Sequence, residues 1–289
     1  MHAQLDTATP FDGRAVLDFL AARAIPGVEV VDGPTYRRTL ALPGGPAVVA
    51  LTVADDGHGV ALTARLADAA DRAEVVAIAR ALFGLDQDPR AVAAGLGADP
   101  VLGPLVRARP GLRVPGAASG FEVAVRAVLG QQISVAAARV LAGRITERLG
   151  EPLPATGDPA LTRLLPAPAA LAAAPADAFP MPRSRTRTLQ GLAAADPPLR
   201  AAADAAALTD LWGVGPWTAS YVALRLGDPD VFLATDVAVL KALDILGATA
   251  ADAQRWAPLR SFATVHLWAS LAKPAADAPR SGGVRQRTG

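Results

Sequence analysis

The hydrophobic pattern of the chain changes near residue 110, and this change constrains the fold more than any other feature. Before it, three segments of about eight residues, TYRRTLAL, PAVVALTV and HGVALTARL, alternate or run apolar and are separated by PGG and ADDG. Segments rich in Val, Leu and Thr and bounded by turn residues are typical of antiparallel strands. After residue 110 the apolar residues recur almost wholly at helical spacing.

Helical patterns accompany the strands on both sides. Between Phe11 and Ile25 the apolar residues fall at helical spacing behind Asp12, a favourable N-cap. The later run DRAEVVAIARALFG ends at Gly84, a residue typical of a helix C-terminus. Proline and glycine punctuate RPGLRVPG at residues 109–116, as expected of a linker. We therefore predict an α+β domain with a small antiparallel sheet over residues 1–112 and a mainly α-helical domain over residues 113–289.

The helical part opens with SGFE at residues 119–122, a capping-box pattern that predicts a helix ending at Gly130. A second helix is predicted from Ser134 to Gly150, which leaves Gln131 and Gln132 at the joint. Glutamines between two apolar helices are usually solvated, but an amide pair at such a joint can also reach into a DNA groove. A proline- and alanine-rich connection follows over residues 151–182.

The composition excludes several classes of site. The 28 basic and 27 acidic residues nearly cancel, so any DNA binding must come from local placement of charge. The absence of cysteine excludes disulfides, cysteine-ligated zinc, iron–sulfur clusters and a thiol nucleophile. His2, His58 and His266 lie far apart, which argues against a histidine metal site. We find no signal peptide and no run of about 18 apolar residues, so we expect a soluble cytoplasmic protein.

The stretch LWGVGPWTA, residues 211–219, predicts a glycine hairpin between two helices, over about residues 205–227. Glycines at 213 and 215 allow a tight turn, and Pro216 suits the first position of the second helix. The N–H groups that begin this helix form an anion site suited to a DNA phosphate. Because such turns are more often only structural, both interpretations stay open on the hairpin alone.

Thr235 and Asp236 precede the apolar-periodic helix VAVLKALDILG. We expect Thr235 to be the N-cap and Asp236 to lie in the first turn. An aspartate in a first turn usually serves stability. A rigidly held carboxylate beside a phosphate grip can also stabilise a cationic sugar transition state or orient water against it.

Several separated motifs in the same order resemble a known family. The segments GVGPWTASYVAL and VFLATDVAVLKAL are similar to the hairpin and catalytic-aspartate region of the helix-hairpin-helix DNA glycosylase superfamily. Within it, AVRAVLGQQISVAAA and SFATVHLW resemble the bacterial 3-methyladenine DNA glycosylase II family, and FLAARAIPGVEVVDGPTYRRTLAL resembles its N-terminal domain. The resemblance covers nearly the whole chain.

The resemblance implies a function and a set of partners. It implies a base-excision-repair enzyme that flips alkylated purines, such as 3-methyladenine and 7-methylguanine, out of double-stranded DNA and hydrolyses their glycosidic bond. It also implies a bacterial, cytoplasmic, nucleoid-associated monomer that needs no cofactor for catalysis. A carbonyl-bound monovalent cation is implied in the hairpin.

The family's site residues match positions of this sequence. The implied roles are catalysis for Asp236; the base pocket for Trp217, Tyr221 and Trp268; the phosphate grip for Gly213, Val214 and Gly215; the DNA wedge or groove contact for Gln131, Gln132 and Ile133; and cation binding for the carbonyls of Thr209, Leu211 and Val214.

Two departures from the superfamily pattern bear on the chemistry. Superfamily members that also cut the strand carry a lysine where this chain has Trp217, so we expect a monofunctional enzyme without lyase activity. Lys241 is interpreted as a surface or backbone-facing charge. Some relatives carry a large apolar wedge where this chain has Gln132, and the sequence leaves open whether Gln132 or Ile133 fills the gap.

Two other functions stay open. A glycosylase for deaminated bases, such as hypoxanthine or uracil, would share the whole scaffold. A non-catalytic helix-hairpin-helix module would need the hairpin glycines but neither Asp236 nor the aromatic residues. The sequence also leaves open whether the chain belongs to a longer polypeptide.

Overall fold

The computed structural model describes residues 1–55, 57–153 and 157–271. Its strands are β1 (His2–Asp6), β2 (Glu29–Asp32), β3 (Thr35–Leu42), β4 (Gly45–Val53) and β5 (Gly59–Leu66). Its α-helices are α1 (Gly13–Arg23), α2 (Arg72–Phe83), α3 (Pro89–Leu96), α4 (Leu102–Ala108), α5 (Gly120–Leu129), α6 (Val135–Leu149), α7 (Pro168–Ala173), α8 (Arg183–Ala195), α9 (Pro216–Arg225), α10 (Val237–Ile245) and α11 (Arg260–Ser270). The 3-10 helices are Ala69–Asp71, Ala176–Ala178, Ala202–Asp210 and Ala250–Trp256. None of the helices in these ranges is both long and apolar enough to cross a bilayer.

The strands form one antiparallel sheet in the order β1-β5-β4-β3-β2, which confirms the predicted α+β class. The three predicted strands correspond to β3, β4 and β5. Tyr36, Leu51 and Leu62 lie opposite one another on adjacent strands and are fully buried, because alternate residues of each strand face the core. The edge strands β1 and β2 were not predicted, since each has at most five residues and shows little alternation.

The predicted helix ends are largely confirmed. Asp12 accepts a hydrogen bond from the Ala15 amide, and Gly84 ends α2 with a φ of 61°. Ser119 caps α5 through the Glu122 amide. The predicted capping box is wrong in its second half, because the Glu122 carboxylate binds Arg38 and Arg126 instead of the Ser119 amide.

The apolar residues form three buried clusters. One lies between the sheet and helices α1 and α2, and a second joins α5, α6 and α8 to the glycine hairpin. In the third, Val92 of α3 and Leu102 of α4 pack in one cluster with Trp256 and Leu267. Helices α3 and α4 therefore share a core with the C-terminal helices. The domain boundary at residue 112 stays a prediction, and this core crosses it.

A buried ionic network joins the sheet to α5. Arg38 donates to Glu122 at 2.6 Å, and Arg126 donates to Glu122 at 2.8 Å and to Glu29 at 2.5 Å. Burial opposes ionisation of Glu122, but Arg38 and Arg126 outweigh it and hold its pKa at about 2, below the ordinary 4.5. Two arginines balance two glutamates, which satisfies charges that would be costly if buried alone. The network also fixes Arg126, which lines the cleft described below.

Candidate active site

The predicted hairpin is present between the 3-10 helix Ala202–Asp210 and α9. Ala205 and Leu208 are buried, three residues apart, as suits the three-residue turn of a 3-10 helix. Pro216 begins α9, as expected, and Gly215 is the extended residue before it. The turn thus presents the positive end of α9 to its surroundings.

Gly213 is required by both conformation and space. Its φ is 79°, a left-handed value that favours glycine, and a Cβ placed there would lie 2.0 Å from Oγ1 of Thr188. At Gly215 a Cβ would meet nothing within 4 Å, and the backbone is extended. The hairpin therefore requires glycine at position 213, whereas position 215 has room for a side chain.

A cleft of about 1260 Å³ is bounded by α1, α5, α6, α9, α10 and the end of α11. Most of the predicted site residues line it together: Gln131, Gln132, Ile133, Gly213, Gly215, Trp217, Tyr221, Asp236 and Trp268. The side chain of Val214 is buried in the core beside the hairpin instead.

Asp236 is itself the N-cap of α10, so the prediction that Thr235 caps this helix is wrong. The Asp236 backbone is extended, with φ −70° and ψ 126°, and its Oδ1 accepts hydrogen bonds from the amides of Ala238 and Val239. A carboxylate at this position accepts hydrogen bonds from two amides and its negative charge complements the helix dipole, so aspartate is a favourable cap here. The result is a carboxylate fixed to the cleft wall.

Two tryptophans hold the same carboxylate from the other side. The indole nitrogen of Trp268 donates to Oδ1 of Asp236 at 3.0 Å, and that of Trp217 donates to Oδ2 at 3.2 Å. The three residues come from the start of α9, the start of α10 and the end of α11. Both carboxylate oxygens are therefore held by uncharged N–H donors.

The aromatic rings form one continuous group on the cleft wall. The rings of Trp217 and Tyr221 stack with centroids 5.4 Å apart and an angle of 16°. The rings of Tyr221 and Trp268 are 6.4 Å apart and tilted by 47°. The predicted pocket residues thus lie beside Asp236, in a place where a flat base can stack.

Two arginines absent from our sequence predictions lie at the far end of Tyr221. Arg225 donates to the Tyr221 hydroxyl at 2.9 Å, and Arg23 lines the cleft. Burial alone would raise the pKa of Tyr221, but the charges of Arg225 and Arg23 outweigh it, and the pKa lies below its ordinary value. The spacing of Tyr221 and Arg225, i and i+4 on one helix, was a signal that could have revealed this pair.

The glutamine joint between α5 and α6 lies against the hairpin. The Gln131 amide donates to the Gly213 carbonyl at 3.0 Å and to the Thr218 hydroxyl at 3.1 Å. Gln132 is exposed and has a left-handed φ of 60°, and Ile133 is half-buried against the core. Of the three, Gln132 projects most freely from the joint.

Lys241 and the predicted cation ligands lie at the edges of this region. Lys241 is exposed on α10, as expected of a surface charge, and it also lines the cleft. The carbonyls of Thr209, Leu211 and Val214 belong to the hairpin, and that of Leu211 accepts the Val214 amide at 3.1 Å. Three main-chain oxygens suit a hard cation chemically, and cation binding stays a prediction.

Comparison with known proteins identifies relatives over the whole fold. The AlkA N-terminal domain family matches residues 2–119. DNA-3-methyladenine glycosylase 2 of Escherichia coli is 37% identical over 279 residues, which cover 91% of this chain and 95% of that protein. The Mycobacterium tuberculosis protein named probable bifunctional transcriptional activator/DNA repair enzyme AlkA is 40% identical over 94% of this chain. The chain spans only 57% of that longer relative.

A solved structure supports the architecture. The 3-methyladenine DNA-glycosylase from Archaeoglobus fulgidus superposes with a TM-score of 0.80 over 93% of this chain and 97% of its own, at 21% sequence identity. This likeness shows a common fold. Because the identity to the Escherichia coli protein extends over nearly the full length of both chains, this chain belongs to the family of AlkA and DNA-3-methyladenine glycosylase 2.

Proposed function

We propose that this protein is a DNA glycosylase that removes alkylated purines, of the 3-methyladenine and 7-methylguanine type, from double-stranded DNA. One observation carries the proposal: the Asp236 carboxylate is held by two indoles and two amides on the wall of an aromatic cleft. A non-catalytic DNA-binding module would have no use for this arrangement. The names of the Escherichia coli and Archaeoglobus fulgidus proteins support the alkylated-base substrate.

The geometry accounts for the binding step. A base inside duplex DNA cannot reach the cleft, so the nucleotide must be flipped out at a cost of a few kcal/mol. The electron-rich faces of Trp217, Tyr221 and Trp268 stack on an alkylated base, whose positive charge they attract. Gln132 enters the gap left in the duplex, because it is exposed at the joint between α5 and α6.

The bond-breaking step uses the charge of Asp236. The glycosidic bond breaks with both electrons passing to the ring nitrogen of the base, which leaves positive charge on the sugar. The fixed carboxylate stabilises that charge without having to reorganise. Water adds to the anomeric carbon, and its proton passes to Asp236 and then to solvent. An alkylated purine is already cationic and leaves without a general acid, so one carboxylate suffices.

We further propose that the enzyme leaves the DNA strand intact. The residue at the position of the superfamily's lysine is Trp217, whose nitrogen donates to Asp236 and is no nucleophile. Lys241 is exposed at the cleft edge on α10, and we assign it no covalent role. Water is therefore the nucleophile that adds to the sugar, and the product is an abasic site.

The hairpin supplies the phosphate grip in this proposal. Gly213, Val214 and Gly215 precede α9, whose positive end favours an anion. A monovalent cation held by the carbonyls of Thr209, Leu211 and Val214 would add positive charge at this grip. We propose that the protein acts on nucleoid DNA as a monomer.

The test is base release from methylated duplex DNA by the wild type and Asp236→Asn. The substitution keeps the shape of the side chain and removes its charge, so single-turnover release of 3-methyladenine should fall about 10²-fold or more. Asp244→Asn, on the same helix and outside the cleft, is the matched control. Equal rates for wild type and Asp236→Asn would refute the mechanism.

A further inference from the structure

Trp212 is an exposed aromatic residue at the glycine hairpin. Its side chain is 50% exposed, and it is the only aromatic one among the large apolar side chains that are exposed in the described residues. It immediately precedes Gly213 and is not among the residues that line the cleft. No acceptor in the described part of the chain receives its indole N–H. The ring and its donor are therefore available to a ligand outside the cleft.

The guanidinium of Arg187 lies over the ring of Trp212. Its central carbon is 4.4 Å from the ring centroid, and Arg187 is exposed on α8. Stacking on the indole holds the guanidinium in one plane and leaves its N–H edge free to donate. A guanidinium binds phosphate oxygens through paired N–H groups. The two side chains together thus offer a phosphate group donors from both an arginine and an indole.

Helix α8 holds this pair against the proposed phosphate grip. Thr188 packs so closely on the hairpin that a Cβ at Gly213 would lie 2.0 Å from its Oγ1. Arg185 donates to the Gln131 carbonyl at 2.6 Å, and the Gln131 amide donates to the Gly213 carbonyl at 3.0 Å. The pair therefore has a fixed position beside the hairpin.

The start of α8 is locally positive. Arg183, one turn before Arg187, is also exposed, and neither arginine has an acidic partner in the described ranges of the chain. Arg183 begins α8, where a positive charge opposes the helix dipole and does not stabilise the helix. In a chain of net charge +1, attraction to DNA depends on local groups of unpaired arginines such as this one.

We infer that Arg187 and Trp212 form a second contact with the DNA backbone, on the strand that the hairpin grips and next to the gripped phosphate. This inference rests on the proposed function and extends its DNA-binding surface beyond the cleft. Each strand of a duplex carries one phosphate per about 3.4 Å of axis, so a strand held at the hairpin carries further phosphates past its neighbours. Arg187 binds such a phosphate, and Trp212 packs on the adjoining deoxyribose. Backbone contacts of this kind add affinity without selecting a base.

The test measures binding to a duplex that contains a tetrahydrofuran abasic analogue, over a range of salt concentrations. Arg187→Gln should lower the slope of log K against log [salt] by about 0.9 and weaken Kd about three- to tenfold, because one phosphate contact is lost. Trp212→Leu should weaken Kd about threefold or more and leave the slope unchanged, because it removes no charge. Both variants should release 3-methyladenine at the wild-type rate at saturating enzyme, since neither residue lines the cleft.

Arg72→Gln is the matched control, because Arg72 is exposed at the start of α2, which packs with the sheet. It removes the same charge and should leave Kd and the slope unchanged. A scan of neutral methylphosphonate linkages through the lesion strand locates the contact: one linkage should weaken the wild type and leave Arg187→Gln unaffected. An Arg187→Gln slope equal to that of the wild type, or the absence of such a linkage, would overturn the inference. A wild type that binds the duplex but releases no methylated base would instead refute the proposed function.

Discussion

The indole nitrogen of Trp268 donates a 3.0 Å hydrogen bond to Oδ1 of Asp236, which is 32 residues earlier in the chain. Together with Trp217 it fixes the carboxylate in front of the pocket while leaving its charge in place. A positively charged partner in the same position would neutralise Asp236. Indole donors therefore suit a carboxylate that must stabilise a developing cation.

Replacing Trp268 by phenylalanine should separate this hydrogen bond from stacking. The ring remains, and the lost bond to a charged group predicts about tenfold slower release of 3-methyladenine in single turnovers. Trp256→Phe, in the core outside the cleft, should lower the melting temperature without a comparable change in rate. A Trp268→Phe enzyme as fast as the wild type would mean that stacking alone matters.

Gly213 and Gly215 should respond differently to alanine. A Cβ at position 213 meets Thr188 and forces a left-handed residue, so Gly213→Ala should lower the free energy of unfolding by about 1–3 kcal/mol. Gly215→Ala should leave the free energy unchanged within about 0.5 kcal/mol, because the space is open. Urea denaturation measures both, and similar losses at the two positions would contradict this description of the hairpin.

Gln132→Gly should affect the enzyme without harming its fold. Glycine adopts the φ of 60° freely, so stability should change by no more than about 1 kcal/mol. The wedge is lost, so base release should slow about tenfold, while release from single-stranded DNA, which needs no wedge, should change little. Ile133→Ala serves as the comparison: a larger loss of duplex activity there would assign the wedge to Ile133.

Lys241→Ala tests how the reaction ends. The wild type should give strand breaks only after alkaline treatment, and borohydride should trap no covalent complex with DNA. The variant should show the same product and release 3-methyladenine within about threefold of the wild type. A borohydride-trapped complex that disappears in Lys241→Ala would show lyase chemistry at this lysine.

The Glu122 network predicts acid sensitivity. The folded-state pKa of Glu122 is held at about 2, below the ordinary 4.5. The stabilisation that ionised Glu122 adds to the folded state is therefore fully present above pH 4.5 and is lost as the pH falls toward 2. Glu122→Gln leaves Arg38 and Arg126 short of negative charge and should destabilise by about 3–5 kcal/mol at neutral pH. The free energy of unfolding of the Glu122→Gln variant should fall less steeply than that of the wild type between pH 4.5 and 2. Calorimetry measures this difference.

Much of the fold follows from local patterns. The strands β3 to β5 and the caps Asp12, Ser119, Ser134 and Gly84 are visible because alternation and capping residues act over a few positions. The shared core of α3 and α4 with the C-terminal helices depends on contacts about 150 residues apart and has no such signal. The same holds for Arg23, whose place beside Tyr221 arises from packing of α1 against the helical part.

The sequence by itself determined the α+β order of elements, the glycine hairpin and the family, since these depend on spacing and residue type along the chain. Only the tertiary structure decided that Asp236 is a cap whose carboxylate also accepts hydrogen bonds from two indoles, Trp268 on Oδ1 and Trp217 on Oδ2. It also decided that Gln131 binds the hairpin while Gln132 stays exposed. The physical reason is that hydrogen bonds between separate helices depend on orientation in space, which no local pattern records.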